Sequence, residues 1–115
     1  MNPTLQAVWN DTPDNYLLPF FWQHEGNREG IPEKMEKIWE SGCRAVCVES
    51  RPFEGFCQDS WWETLGLILD EAKKRDMKVW ILDAKHYPTG DTNGVIETKY
   101  PDLRRWYLRE HHVDV

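Results

Sequence analysis

Apolar and polar positions change their period several times along the chain, and each change predicts an element. Residues 1 to 16 are polar with two prolines and read as an N-terminal arm, leaving 17–115 as one folded unit. "YLLPFFW" (16 to 22) is a short apolar run suited to a buried strand. Pro19 cannot donate to a ladder, so that strand is expected at a sheet edge or to begin at Phe20. After the loop "QHEGNREG", Ile31, Met35, Ile38 and Trp39 recur at i, i+4, i+7 and i+8. With Pro32 in the first turn and Gly42 behind, they predict an amphipathic helix.

"CRAVCVES" (43 to 50) predicts a second strand ending in Glu49. A further helix is expected to open with Asp59 or Ser60 as N-cap. Its buried face should be Trp62, Leu65, Leu69 and Ala72, flanked by Trp61 and Ile68, with the cations of "AKKRD" suiting its C-terminal dipole. "MKVWIL" (77 to 82) predicts a third strand ending at Asp83. Pro101 and Asp102 then open a C-terminal helix with Leu103, Trp106 and Tyr107 as its stripe. The order is β-α-β-α-β, an α/β fold whose connections are long enough for parallel crossovers.

Composition narrows the picture. A chain of 115 residues supports one core. Twenty acids against 14 bases give a net charge of -6. Nucleic-acid binders present a basic stripe, so no nucleic-acid partner is expected. No window approaches the roughly 18 apolar residues of a membrane span, so no membrane partner is expected either. The start lacks the charged and apolar regions of a secretory signal, which predicts a cytoplasmic protein. Three cysteines cannot make a complete disulfide set. Cys43 and Cys47, four apart on a strand, lie about 13 Å apart and cannot share a bridge or a metal there. All three, Cys57 included, read as packing thiols.

Seven tryptophans in so short a chain predict an aromatic core, an aromatic cleft, or both. Trp39, Trp62, Trp80 and Trp106 follow core periodicity. Trp22, at a strand end, suits stacking on the apolar face of a sugar ring, and Trp61 fits either role.

Ligands of parallel α/β folds bind at the carboxyl ends of the strands. Three segments meet that description here. Trp22, Gln23, His24 and Glu25 follow the first strand, Glu49, Ser50 and Arg51 the second, and Asp83, Lys85 and His86 the third. Such acids also occur as plain ion pairs, here Glu49 with Arg51 and Asp83 with Lys85. His24, His86 and Asp83 lack the spacing of known metal motifs, so no metal is expected, nor any cofactor. Ser50 is not in a G-x-S-x-G elbow, and Gly90 and Gly94 lack phosphate-loop spacing.

"VESRPFEGFC" and "WWETLGLILDEAKKRDMKVWILDAKHYPTGDTNG" resemble the early (β/α) units of large multidomain glycoside hydrolases. These are TIM-barrel enzymes akin to α-L-rhamnosidases and some β-galactosidase-like hydrolases. In that family a strand ends in an acidic segment followed by Arg or His, an aromatic, Pro, Ser or Thr, and Gly. Asp83, Ala84, Lys85, His86, Tyr87, Pro88, Thr89 and Gly90 stand in that order here. The resemblance runs from about Leu17 to the end. It implies a partial (β/α)8 barrel with parallel strands and a carbohydrate ligand.

Two departures bear on activity. Ala84 stands where the family has a second acid, and a barrel needs eight strands and roughly 250 residues. The family's catalytic pair comes from later strands. Glu49 and Asp83 are the candidate catalytic carboxylates, yet the resemblance implies that they orient substrate. The substrate-binding set it implies is Trp22, His24, Glu49, Arg51, Trp61, Asp83, Lys85 and His86. Three strands alone leave sheet surface uncovered, which predicts a homo-oligomer or reliance on the remainder of the barrel. The alternative reading is a non-catalytic carbohydrate-binding or self-assembling α/β module.

Overall fold

The computed structural model describes residues 2–12, 14, 17–26, 28–85, 90 and 92–113. Seven regular elements follow one another: α1 (Pro3–Trp9), β1 (Phe20–Trp22), α2 (Ile31–Glu40), β2 (Ala45–Glu49), α3 (Asp59–Lys74), β3 (Lys78–Ile81) and α4 (Val95–Lys99). The strands form one parallel sheet in the order β1-β2-β3. The chain is therefore α/β, with the expected β-α-β-α-β order at its centre.

β1 begins at Phe20 and lies at a sheet edge, as its proline requires: Pro19 supplies only an acceptor, to the amide of Cys47 at 3.0 Å. α2 carries Pro32 in its first turn. Past its end stands Gly42 at φ +90°, a conformation that costs glycine nothing. Ile31 and Met35 are buried, and Ile38 is partly so. Trp39 is not core. It lies on the surface with the Arg44 guanidinium 4.6 Å from its ring centroid.

In α3 the buried face differs from the expected one. Trp61, Thr64, Leu65, Ile68, Glu71 and Ala72 point inward, while Trp62 is 54% exposed and Leu69 also reaches solvent. The expected stripe and the observed one share Leu65 and Ala72, so helical spacing alone does not separate them. The loop after β2 does. Its Phe53 and Phe56 meet the Trp61 ring edge-on, with centroids 5.3 and 5.2 Å away, and rotate the helix to bury that residue. The cap differs too. Gln58 occupies the N-cap without a side-chain bond, and Asp59 and Ser60 are already helical.

Sheet alternation sends Phe21, Val46, Val48 and Val79 to one face. There they join Ile31 and Met35 of α2 and Trp61, Leu65, Ile68 and Ala72 of α3 in a single core. α2 also packs on α3, so both crossover helices cover the same face. The opposite face carries Phe20, Trp22, Cys47, Glu49 and Trp80. Trp80 is thus an exposed sheet residue, not the core residue its periodicity suggested.

An ion-pair cluster fastens α3 to α2. Arg75 donates to Glu36 at 2.7 Å and to Glu71 at 2.6 Å, and Lys74 adds a bond to the other Glu71 oxygen. Hydrogen bonds from Lys74 and then Arg75 hold the buried Glu71 carboxyl below the usual glutamate range. A carboxyl lowered on folding stabilises the fold above its ordinary value of about 4.3. That stability is lost as pH falls through the lower folded value. Urea midpoints measured from neutral to acid pH should show this fall. Glu71→Gln should lower the neutral midpoint and flatten the acid side, and an unchanged profile would refute the role.

The expected C-terminal helix is absent. Pro101–Leu103 make a single 3-10 turn, and residues 104–113 run without regular structure and exposed. A three-residue stripe with no surface to pack on does not sustain a helix. Trp106 is accordingly exposed rather than packed. α4, which no sequence signal flagged, follows Gly94 at φ +74°. The arm carries α1, capped by the Asn2 side chain accepting from the Thr4 amide at 2.8 Å, with no residue buried. Among the described residues, no helix is long and apolar enough to cross a membrane.

Candidate functional site

Parallel pairing brings the carboxyl ends of all three strands to one edge. Trp22 pairs with Glu49 across β1 and β2, and the Leu82 amide donates to the Val48 carbonyl at 3.0 Å, carrying β3 to the same level. The Gln23 amide extends the ladder by donating to the Glu49 carbonyl at 2.8 Å. Its buried side chain folds back onto the Phe21 carbonyl at 3.2 Å. The buried Ser50 hydroxyl donates to the Ala84 carbonyl at 3.3 Å. It is a tie between β2 and the segment after β3. Ala84 is itself buried, so the position where the resembled family has a second acid holds only a methyl group here.

The ionisable residues divide sharply by burial. Glu49 is 2% exposed and ion-paired with Arg51, which is partly exposed. Lys85 is buried too, and its ammonium meets the exposed Glu54 carboxylate at 2.8 Å. The expected pair of Lys85 with Asp83 is therefore replaced by one with a residue of the β2 loop. That loop crosses over the end of β3, whereas Asp83 faces solvent. His24 is exposed on the same edge, and His86 lies outside the described residues.

Trp22 stands on the open sheet face, more than half exposed, next to Glu49. Trp61 does not join it. At 1% exposure, behind the sheet and between two phenylalanines, it cannot stack on any ligand.

Residues outside the expected substrate-binding set shape the rim. Glu25 accepts from the Gly55 amide at 2.6 Å. A side chain at Gly55 would collide with Ser60 and with that carboxylate, so glycine permits the approach. Arg28 bonds Thr64 at 3.0 Å, Glu63 at 2.6 Å and the Ser60 carbonyl at 2.8 Å, fastening the β1 loop to the start of α3. Between them lies a cleft of about 400 Å³ lined by Glu25, Arg28, Glu29, Phe53 and Ser60. "QHEGNREG" looks like a plain loop in sequence, because its partners are some 30 residues away.

A second cleft, of about 380 Å³, lies at the opposite edge, between Val8, Asp11, Leu17, Glu40 and Cys43. It contains none of the strand-end residues, and no buried charge faces it. The carboxyl edge, with the buried Glu49 and Lys85 each paired to a more exposed partner beside an exposed indole, is the better site. Among the described residues, no group of three or more His, Cys, Asp or Glu is placed to hold a metal ion. Burial and then the Glu49 charge push the Cys47 thiol up, and burial does the same to Cys57, which makes both poor nucleophiles.

Chemically, this edge offers an aromatic plate and fixed charges that donate and accept hydrogen bonds. Two free carboxylates facing one ligand are not what it presents, since Glu49 is engaged by Arg51. Compared with protein-family models, with curated proteins and with solved structures, the chain matches none.

Proposed function

We propose that this chain is the β-α-β-α-β part of a TIM-type (β/α)8 barrel of the glycoside-hydrolase kind, and that it binds sugar without completing a catalytic pair. The observation that carries the reading is the winding. Strands in the order β1-β2-β3, with both crossover helices on one face, are wound as barrel strands are. The same sequential winding occurs within each half of a doubly wound sheet, which reverses only between its halves; the resemblance of the 48–94 segment to glycoside-hydrolase units favours the barrel.

In this reading the carboxyl edge is part of a sugar cleft. Trp22 stacks on the ring. Glu49 and Asp83 accept from hydroxyls, and Arg51 and Lys85 donate to them. His24 borders the same edge, and His86 is assigned as a donor on the resemblance alone. Trp61 leaves the set because it is core. Glycoside hydrolysis needs two carboxyl groups about 5 to 10 Å apart across the scissile bond. With Glu49 held by Arg51, the Glu49–Asp83 pair does not offer two free carboxylates.

Titrating the chain with a panel of neutral mono- and oligosaccharides while following tryptophan fluorescence tests this. Saturable quenching is expected, weakened up to about tenfold by Trp22→Ala, the scale of one stacking contact. Aryl glycosides should not turn over. A response unaffected by Trp22→Ala would sink the binding role. Robust turnover that disappears in Asp83→Asn would sink the claim of an incomplete pair.

A further inference from the structure

We propose that the peptide between Glu54 and Gly55 is a two-position switch thrown by the charge on Glu25. The proposal rests on contacts of the loop after β2 and is independent of the sugar reading.

The moving part is a β-turn. The Phe56 amide donates to the Phe53 carbonyl at 3.2 Å, which closes the turn with Glu54 and Gly55 at its centre. Neither central residue has a positive φ, and that is the type I pattern. A type II turn closes with the same bond but needs a left-handed residue in the third position. Gly55 stands there, and glycine takes positive φ about as readily as negative. The two forms differ by a flip of the central peptide, which exchanges the directions of the Gly55 amide and the Glu54 carbonyl.

The surroundings of that peptide are fastened. Phe53 and Phe56 are buried against the Trp61 ring, with centroids 5.3 and 5.2 Å away, so both corners of the turn belong to the core. The Glu54 side chain is held by the buried Lys85 ammonium at 2.8 Å. With the corners and that side chain anchored, the central peptide can rotate without displacing the loop.

One contact decides its direction. The Gly55 amide donates to a Glu25 carboxylate oxygen at 2.6 Å, a charge-assisted bond. A bond of this kind biases a two-state equilibrium roughly ten- to hundredfold, so it selects type I while Glu25 is ionised. A proton taken from solvent by Glu25 removes that assistance. It also supplies an O–H, which suits the Glu54 carbonyl of the type II form.

The charged groups around Glu25 are Arg28 and Glu29 of its own loop, Glu63 on α3 and the Glu54–Lys85 pair. Arg28 directs its hydrogen bonds to Ser60, Glu63 and Thr64 of α3. Glu25 also lines the cleft of about 400 Å³ beside α3. The switch therefore resets one wall of that cleft, from a carboxylate engaged by an amide to a carboxyl engaged by a carbonyl.

NMR of the full chain at neutral pH tests this. In the parent, a strong contact between the Glu54 and Gly55 amide protons is expected, as type I requires. Glu25→Gln keeps the size of an exposed side chain and removes its charge, so the fold should be unchanged. In that variant the strong contact should run from the Glu54 α proton to the Gly55 amide, the mark of type II. The same amide should exchange about tenfold faster or more. Signals of the Lys85 side chain and of the Phe53, Phe56 and Trp61 rings should stay where they are. Acidifying the parent should move the Gly55 amide with the same midpoint as the Glu25 carboxyl carbon. A Glu25→Gln chain that keeps the type I contact would overturn the proposal. So would a Gly55 amide that ignores the titration of Glu25, or a shift of the Lys85 and ring signals, which would mean that the whole loop detaches.

Discussion

Trp61→Ala is expected to cost about 3–5 kcal/mol in urea unfolding, the range for deleting a buried tryptophan. Its neighbour Trp62→Ala should stay within about 0.5 kcal/mol, as exposed substitutions do. The two differ by one position on the same helix. Trp61 fills the space between Phe53, Phe56 and the sheet, and its edge-on ring pairs go with it. A domain of this size has about 5–15 kcal/mol in all, so the loss takes much of the stability. The consequence reaches the site, because Phe53 and Phe56 flank the Glu54 and Gly55 that meet Lys85 and Glu25. Equal effects of the two alanines would contradict the observed rotation of α3.

The second large effect is expected at the end of β2. Arg51→Met leaves a carboxylate at 2% exposure without its guanidinium, and breaking a buried pair on one side costs about 3 kcal/mol or more. Removing both charges, Glu49→Leu with Arg51→Met, should recover most of that, since a well-packed apolar pair is often as stable as the ion pair it replaces. The double-mutant cycle measures the coupling directly. A single Arg51→Met variant as stable as the parent would mean that Glu49 is solvated after all. The sugar-binding reading adds a constraint: the double variant should keep its fold yet lose saturable quenching by sugars.

Local chemistry in the chain already announces several elements. Pro19 confines β1 to an edge and to a start at Phe20, since a missing donor acts wherever the residue sits. Pro32 and Gly42 bracket α2 for the same kind of reason. The clustering of Trp22, Glu49, Arg51 and Lys85 at one sheet edge follows once the strands are parallel, because parallel strands end together.

The identity of each partner is another matter. Lys85 meets Glu54 rather than Asp83, and Arg28 reaches Ser60, Glu63 and Thr64. These contacts close loops of some 30 residues, and no local pattern encodes which loop crosses which strand. The tryptophans show it most clearly. Periodicity marked four of them as core, and all four are exposed, whereas Trp61 is buried. An amphipathic stripe states that a face is apolar, but only a packed neighbour makes that face an interior. Here the sequence by itself determined the order of the elements, connections long enough for parallel strands, and which segments bring charge to the strand ends. Tertiary structure decided which aromatic is core, which acid is buried, and which sheet face stays open, because burial belongs to pairs of surfaces and not to one chain segment.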